Sequence, residues 1–253
     1  MSNILDIKKE LELKLQELQP ITLQEMDTVK LMNRTDTKFF FHADLLVEIL
    51  EKAKEHYRVL EICERRQFHY LTTYFDTPDM RLYHEHLNGK LNRYKVRQRR
   101  YDVTGTEFFE VKFKTNKGRT LKSRIENNNS ECLNEKTNAF LLKKTPYSNE
   151  ILEKALKNEF FRITLVNKRL TERATLDFDI NFSDFSNQYH CPMLGIAEIK
   201  QDNQSGVSAL LQIIKDLGIR PEGISKYCLG VAALYPNVKT NRLKPKINKI
   251  NNL

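Results

Sequence analysis

The amino-acid sequence predicts an α+β fold in which antiparallel strands form a meander and a few amphipathic helices accompany them. Seven long strand-like segments lie at hairpin spacing, without the alternating helices of a parallel sheet. Several of these strands alternate between apolar and charged residues. With 253 residues, 40% of them hydrophobic, the chain can bury a sizeable core, and its strands are numerous enough to close a barrel.

Helical periodicity predicts five helices. In the first, from Ile4 to Leu18, apolar residues recur every three or four positions, and Pro20 ends the pattern. In the second, Thr22 and Glu25 have the spacing of a capping box. The predicted helices are 4–18, 22–32, 44–56, 148–158 and 205–217.

Strands are predicted between these helices, and 127–130 is predicted as a loop. A short strand, 37–41, precedes the helix 44–56. The longer strands are 67–75, 91–101, 107–115, 119–126, 160–167, 172–182 and 193–202.

Several classes of protein are excluded. No apolar run has the length of a membrane helix and the N-terminus lacks a secretory signal, so we expect a cytoplasmic protein. The four cysteines have neither CxxC nor His-flanked spacing, which indicates reduced structural thiols rather than a zinc site or a redox pair. They are Cys63, Cys132, Cys191 and Cys228.

The formal net charge of +9 is concentrated in two segments. The segment 237–253 carries five bases and no acid, whereas 93–126 carries eleven bases and four acids. Such a surplus indicates an anionic partner. The segment 237–253 is polar and aperiodic, so we expect a solvated, frayed end there. The central block is therefore the more informative of the two.

The bases of the central block alternate along its strands. Side chains two positions apart share a face of a strand, so one face of 91–101 is cationic. A one-sided sheet with its polar face in water would explain each strand alone. Because bases outnumber acids, the faces together favour an anion among them, and closure of a barrel would enclose it. The charged faces comprise Arg93, Lys95, Arg97 and Arg99; Glu110, Lys112 and Lys114; Lys122 and Arg124; and Arg173, Thr175, Asp177 and Asp179.

Phosphate chains suit such a face, since guanidinium groups bind their oxygens bidentately and ammonium groups add point charge. Glu198 alternates with Lys200 and Asp202 on a later strand. A carboxylate among phosphate-binding cations is typical of a Mg²⁺ or Mn²⁺ site. An ordinary cross-strand salt bridge explains Glu198 equally well.

Eight short motifs occur in the order found in the VTC domain, the catalytic part of a polyphosphate polymerase within the CYTH, or triphosphate tunnel metalloenzyme, superfamily. The sequence resembles that family over roughly residues 22–235. The motifs are RTDTKF (34–39), YFDTPD (74–79), YKVRQR (94–99), FEVK (109–112), LKSR (121–124), ERATLD (172–177), EIK (198–200) and SKY (225–227).

The resemblance implies an antiparallel β-barrel tunnel of about eight strands with helices packed on the outside. It also implies a polymerase that moves the terminal phosphoryl group of ATP onto inorganic polyphosphate with a divalent metal, Mn²⁺ or Mg²⁺. We expect one domain over 1–236, including the helices between 4 and 32, followed by a flexible basic tail, 237–253. We expect no nucleic-acid partner and no membrane segment, while a membrane partner stays open.

The resemblance also assigns residues. Those implied to act in catalysis are Lys38, Arg97, Arg99, Lys112 and Arg173, of which the last four would hold the triphosphate. Those implied to bind substrate are Lys122, Arg124, Arg162, Lys200 and Lys226, with Lys122 and Arg124 as alternatives for one position. Within these sets, Lys38, Lys122 and Lys226 would steer the acceptor chain. Glu198 is implied to hold the metal.

Two departures accompany the resemblance. Many tunnel enzymes begin with ExExK, whereas this chain has Arg34, Asp36 and Lys38 at those positions, which favours the VTC branch over a generic cyclase or thiamine triphosphatase. The motif before Arg162 reads Phe160 where the family has Tyr. A tripolyphosphate or nucleoside triphosphate hydrolase, a non-catalytic polyphosphate-binding module and a nucleic-acid binder are the alternatives.

Overall fold

The computed structural model describes residues 3–29, 34–128, 133–203 and 206–253. Within these ranges the chain forms eight helices and eleven strands. The helices are α1 (Ile4–Glu17), α2 (Leu23–Asp27), α3 (Leu45–Ala53), α4 (Arg81–Leu87), α5 (Glu135–Lys144), α6 (Ala209–Asp216), α7 (Lys226–Leu234) and α8 (Lys244–Asn251). The strands are β1 (Gln19–Ile21), β2 (Arg34–His42), β3 (Tyr57–Leu60), β4 (Gln67–Asp76), β5 (Arg93–Tyr101), β6 (Thr106–Lys114), β7 (Thr120–Glu126), β8 (Glu153–Asn167), β9 (Glu172–Ser183), β10 (Gln188–Cys191) and β11 (Leu194–Asp202).

Most predicted elements are present with shifted ends. Helices α1, α3 and α6 fall inside the predicted ranges, and the capping box of α2 is confirmed. Thr22 Oγ1 accepts a hydrogen bond from the Glu25 N–H at 3.2 Å, and Glu25 Oε2 accepts one from the Thr22 N–H at 2.9 Å. Parts of the predicted helices 22–32 and 205–217, part of the predicted loop 127–130, and Cys132 lie outside the described residues.

The predicted helix 148–158 is wrong, because its second half begins strand β8. Phe75 pairs with Lys154 but Tyr74 pairs with Leu156, so Ala155 is an extra residue in a β-bulge. The bulge buries Ala155 and Leu156 side by side, three and four positions after the buried Leu152. A bulged strand thereby imitates the apolar spacing of a helix.

Eight strands form one curled antiparallel sheet. Their order is β2-β11-β9-β8-β4-β5-β6-β7, with β2 and β7 at the two ends of this path. Strand β10 extends the sheet beside β9, and β3 beside β8, while β1 pairs with β3 in parallel. This curled antiparallel sheet with helices outside it is the α+β barrel-type fold that the sequence predicts.

Helices cover the outer face of the sheet in two groups. Helices α1, α3 and α6 pack on the half of the sheet formed by β2, β11, β9 and β8, where Leu11, Ile49 and Ile214 belong to the same large core cluster as Leu176 and Phe178. Helices α4 and α5 cover β5 and β6 around a second cluster. Burial of these apolar faces is the main driving force for the curled sheet.

Helix α7 packs at one end of the opposite face of the sheet, which we call the inner face. Its Gly230 approaches the Phe182 ring so closely that a Cβ atom there would lie 2.5 Å from the ring. The same Cβ would lie 2.6 Å from a methyl carbon of Leu156. A glycine at this position therefore allows α7 to lie against β8 and β9.

The basic C-terminal segment differs from the expected frayed end. Residues 244–251 form α8, and Ile250 is buried against the cluster that holds α7. Tyr189 donates a hydrogen bond to Asn251 Oδ1 at 2.8 Å, and Lys249 forms a 2.8 Å ion pair with Glu222. An apolar side chain every three or four residues, Leu243, Ile247 and Ile250, attaches this segment to the domain surface.

Two expectations about the whole chain can be compared with the structure. In the described ranges, no helix combines the length and the apolar character needed to span a bilayer. Cys63 is exposed and Cys191 and Cys228 are buried, and all three are free thiols.

Candidate functional site

Strand β5 has a cationic inner side, whereas its outer side includes Tyr94 and Val96. Val96 is buried in the outer cluster with α4 and α5. Arg97 and Arg99 point to the inner face, yet each is only 7% exposed. Guanidinium groups that are so buried require an anion or a carboxylate nearby.

Glu110 is the carboxylate beside Arg97. It is completely buried, and its Oε2 lies 2.7 Å from Arg97 Nε. Lys122 of β7 forms an ion pair with the other oxygen of Glu110. Burial alone would raise the pKa of Glu110, but the charges of Arg97 and Lys122 lower this pKa to about 2.

Asp177 of β9 pairs with an arginine and a lysine of the inner face, as Glu110 does. Arg162 Nε lies 2.6 Å from Asp177 Oδ1, and Arg162 Nη2 lies 2.8 Å from Oδ2, a bidentate pair. Lys226, the first residue of α7, also contacts Asp177 and lies 4.4 Å from the centre of the Phe160 ring. Burial lowers the pKa of Lys226 to about 8, although Asp177 opposes this shift.

Arg99 and Lys112 have no carboxylate partner among the described residues. Arg99 donates a 3.1 Å hydrogen bond to Thr72 Oγ1 and lies 5.4 Å from the centre of the Tyr70 ring. The charge of Arg97, burial and the charge of Arg99 hold the pKa of Lys112 well below its usual value. Burial and neighbouring arginines also lower the pKa of Arg99. In the part of the chain that the structure describes, no ion pair compensates the charge of either side chain.

Lys95 belongs to the same face, although no motif role predicted it. Its Nζ donates a 2.9 Å hydrogen bond to Ser225 Oγ, directly before α7. Burial lowers the pKa of Lys95 to about 8. The strand alternation alone was the signal that could have identified Lys95, since it lies two positions before Arg97.

Glu198 lies on β11 opposite Lys38 of β2. Lys38 Nζ is 3.5 Å from Glu198 Oε2, and Lys200 contacts the other oxygen. Lys200 also lies 3.4 Å from Asp36 Oδ2. The two carboxylates of Glu198 and Asp36 therefore lie near one lysine at the β2 end of the inner face.

These two carboxylates fit one mode of metal binding. The described residues contain no group of three or more His, Cys, Asp or Glu that could form a metal site by itself. Mg²⁺, however, is commonly held by one or two carboxylates together with the phosphates of a substrate. Glu198 and Asp36 meet that requirement because they lie beside the cations of the inner face.

Two predicted residues lie at the margins. Arg124 of the end strand β7 is exposed and lies 4.3 Å from the centre of the Phe108 ring. Arg173 lies near the other end, where burial and the charge of Arg34 lower its pKa. Of the two alternatives, Lys122 rather than Arg124 joins the buried cluster through Glu110.

Asp179 does not share the face of Asp177, contrary to the alternation. A bulge occurs where β8 and β9 change register between Glu159 and Phe161, and Asp179 has a φ of 49°. Asp179 pairs with Lys8 of α1 on the outer side of the sheet. The prediction that Asp179 lies on the charged face is therefore wrong.

The structure thus brings the predicted cations onto one concave surface. The charges of Arg97, Arg99 and Lys122 lower the pKa of Lys112, and those of Arg97 and Arg162 lower the pKa of Arg99. The charge of Arg162 also acts to lower the pKa values of Lys226 and Lys38. The carboxylates Glu110 and Asp177 lie among these cations and had no predicted role. Such a surface defines a class: a curled-sheet protein with a cationic interior that suits a phosphate-rich anion.

The chain belongs to the VTC domain family, whose model matches residues 33–235. The match covers most of the chain and confirms the family that the eight motifs predict. The search of curated proteins gives no match.

Solved structures show distant likeness. A candidate adenylate cyclase from Vibrio parahaemolyticus is 14% identical, with a TM-score of 0.48 over 79% of this chain and 99% of that chain. Another, from Bacillus halodurans, is 13% identical, with a TM-score of 0.49 over 81% of this chain and 100% of that one. A candidate adenylyl cyclase from Hippeastrum, described as having a dominant triphosphatase activity, is 15% identical, with a TM-score of 0.46 over 80% and 96% of the two chains. Family membership rests on the family model and not on these scores.

Proposed function

We propose that this protein is a polyphosphate polymerase that transfers the terminal phosphoryl group of ATP to a growing inorganic polyphosphate chain on its inner face. Membership of the VTC domain family supports phosphoryl chemistry at this surface. The observation that carries the proposal is that the buried Arg99 and the partly buried Lys112 have no carboxylate partner in the described residues. A polyanion offsets such charges better than water or chloride does.

Phosphoryl transfer requires little covalent help from a protein. It depends mainly on alignment and on neutralising charge at the nonbridging oxygens. In this proposal Arg97, Arg99, Lys112 and Arg173 hold the triphosphate of ATP. The fork of Arg99 faces the interior without a competing carboxylate, so it is free to bind two phosphate oxygens.

The acceptor is the terminal phosphate of the chain. Its oxygen is already anionic, so it forms a bond to the γ-phosphorus of ATP without a general base. The bond from the γ-phosphorus to the β,γ-bridging oxygen breaks, and ADP leaves with that electron pair. Lys38, Lys122 and Lys226 would steer the acceptor. Their ammonium groups contact the inner-face carboxylates Glu198, Glu110 and Asp177, respectively.

Glu198, with Asp36 beside it, would hold a divalent ion, Mg²⁺ or Mn²⁺, together with the phosphates. The ion would supply positive charge at the phosphoryl oxygens during transfer. For this, Lys38 and Lys200 must exchange their contacts with Glu198 for contacts with phosphate. Both lysines are long and partly exposed, so this exchange needs only side-chain rotation.

Incubation of the purified protein with ATP and Mn²⁺ tests the proposal. A ladder of long chains on a polyacrylamide gel is the expected product. Free phosphate without chains would identify the alternative, a hydrolase that uses water as acceptor. Unchanged ATP together with tight binding of polyphosphate would identify a non-catalytic binding module.

A further inference from the structure

Two buried carboxylates lie within the cationic inner face. Glu110 is 0% exposed and Asp177 is 2% exposed. Each holds one arginine and one lysine: Arg97 and Lys122 at Glu110, and Arg162 and Lys226 at Asp177. Glu110 lies on β6, far from Glu198 in the order of strands, whereas Asp177 lies on β9 next to β11, where its cross-strand partner Ile196 is two positions before Glu198.

The two carboxylates lie on either side of Arg99, whereas Lys112 shares β6 with Glu110. In the order of strands, β5 with Arg99 lies between β9 with Asp177 and β6 with Glu110. The charges of Arg97 and Arg162, the arginines of these two pairs, both lower the pKa of Arg99. Arg99 therefore lies between two ion-paired units of the inner face.

Both carboxylates are ionised at neutral pH. The pKa of Glu110 is about 2 and the pKa of Asp177 lies far below its ordinary value, because in each case the neighbouring cations outweigh the effect of burial. Each carboxylate thus places a fixed negative charge beside the proposed path of a phosphate chain. Such a charge repels the chain while it fixes the orientation of the arginine that binds it.

We propose that Glu110 and Asp177 are positioning residues that hold Arg97 and Arg162 in place and weaken the attraction of the inner face for a phosphate chain. This inference rests on the proposed function. A polymerase must release or advance its chain after each transfer, and a face of uncompensated cations would retain the chain. The two carboxylates lower the affinity enough for the product to move.

The variants Glu110→Gln and Asp177→Asn keep the shape of each side chain and remove its charge. We expect each variant to bind inorganic tripolyphosphate at least about tenfold more tightly than the wild type in calorimetry at neutral pH. With ATP as substrate, KM and kcat are both expected to fall, because binding tightens while release slows. A residue that only stabilised the fold would weaken binding when altered.

Asp179→Asn is the matched control. It removes the same charge from the same strand, but Asp179 faces Lys8 and His190 on the outer side. Its affinity for tripolyphosphate is expected to stay within about twofold of the wild-type value, because its charge lies behind the sheet. Glu110→Asp retains the charge and is expected to retain the wild-type affinity.

Each variant leaves an arginine without its carboxylate, so its free form could be unstable. Thermal unfolding with and without tripolyphosphate then replaces calorimetry, since a tighter ligand gives a larger rise in Tm. A variant that gains more in Tm than the wild type, or that folds only with tripolyphosphate, supports the inference. A variant that gains less, or stays unfolded at saturating tripolyphosphate, overturns it.

Titration of the wild type with tripolyphosphate distinguishes a failure of the proposed function from a failure of the inference about the two carboxylates. If the wild type does not bind tripolyphosphate, the proposed function fails. If the wild type binds and neither charge-removing variant binds more tightly, the function stands and the inference about Glu110 and Asp177 is wrong.

Discussion

Asp76 at the end of β4 accepts a hydrogen bond from the hydroxyl of Tyr227 on α7. The same buried carboxylate accepts 2.8 Å hydrogen bonds from the backbone N–H groups of Leu82 and Tyr83 on α4. One side chain therefore attaches two helices to the sheet. Because Tyr227 follows Lys226, this attachment also fixes the lysine that enters the inner face.

Asp76→Ala is expected to lower the free energy of unfolding by about 2–4 kcal/mol, since several buried donors lose their acceptor at once. Urea unfolding followed by circular dichroism measures the change. Asp79→Ala in the same turn is the control, because Asp79 is exposed and accepts one hydrogen bond from Thr77. Equal losses in the two variants would contradict this role of Asp76.

Gly230→Ala is expected to destabilise the protein by about 1–3 kcal/mol, because the new methyl group would overlap Phe182 and Leu156. Gly223→Ala is the matched control, since a Cβ atom there meets nothing within 4 Å. Differential scanning calorimetry of both variants checks the prediction. An unchanged Tm for Gly230→Ala would show that α7 does not pack on the sheet as described.

Lys112→Met is expected to raise the free energy of unfolding by about 1 kcal/mol in phosphate-free buffer, since it removes a partly buried charge from a cluster of like charges. The same change is expected to weaken tripolyphosphate binding at least about tenfold. Lys114→Met, two positions along β6, should change neither quantity much, because Lys114 reaches the turn at Gly118. Loss of both stability and binding in Lys112→Met would indicate a structural role instead.

Binding of phosphate is expected to take up protons at alkaline pH. Lys95 and Lys226 have pKa values of about 8 in the free protein, and a bound polyanion would raise both. Well below pH 8 both are already charged, so they add no pH dependence. Between the free and the bound pKa values, affinity falls as pH rises, because binding must first protonate the lysines.

The double variant Lys95→Arg, Lys226→Arg isolates this effect from the titration of the ligand itself. Arginine stays charged, so the variant should take up fewer protons than the wild type in calorimetry at pH 8.5 in buffers of different ionisation enthalpy, while Lys112 and Lys200, whose pKa values are also lowered, still contribute. Identical proton uptake in the two proteins would contradict the assignment.

The alternation of residues predicted which side chains lie on the inner face where the strands are regular. Predictions were wrong where a strand contains a bulge. Alternation placed Arg97, Arg99, Lys112 and Asp177 correctly, because β5, β6 and the first half of β9 have no bulge there. The bulge at Ala155 led to a wrongly predicted helix, and the bulge at Asp179 led to a wrongly predicted face. In both places one extra residue moves the next side chains to the other face of the strand.

Helix α7 is not among the helices that the sequence predicts. Its residues are almost all apolar, so no polar stripe marks its periodicity, and its place depends on Gly230 and Tyr227 meeting partners far along the chain. The carboxylates of Glu110 and Asp177 were visible on the predicted strands. Their pairing with particular cations requires the registers of β6 with β7 and of β8 with β9.

Arg99 tests the central claim most directly, because it is buried in the inner face and free of a carboxylate partner within the described ranges. Calorimetric titration with tripolyphosphate should give binding to the wild type that Arg99→Met weakens at least about tenfold. Arg100→Met, which alters the exposed neighbour that faces Asp102, should bind as the wild type does. Equal affinity of Arg99→Met and the wild type, or an equal loss in Arg100→Met, would contradict a phosphate site on the inner face.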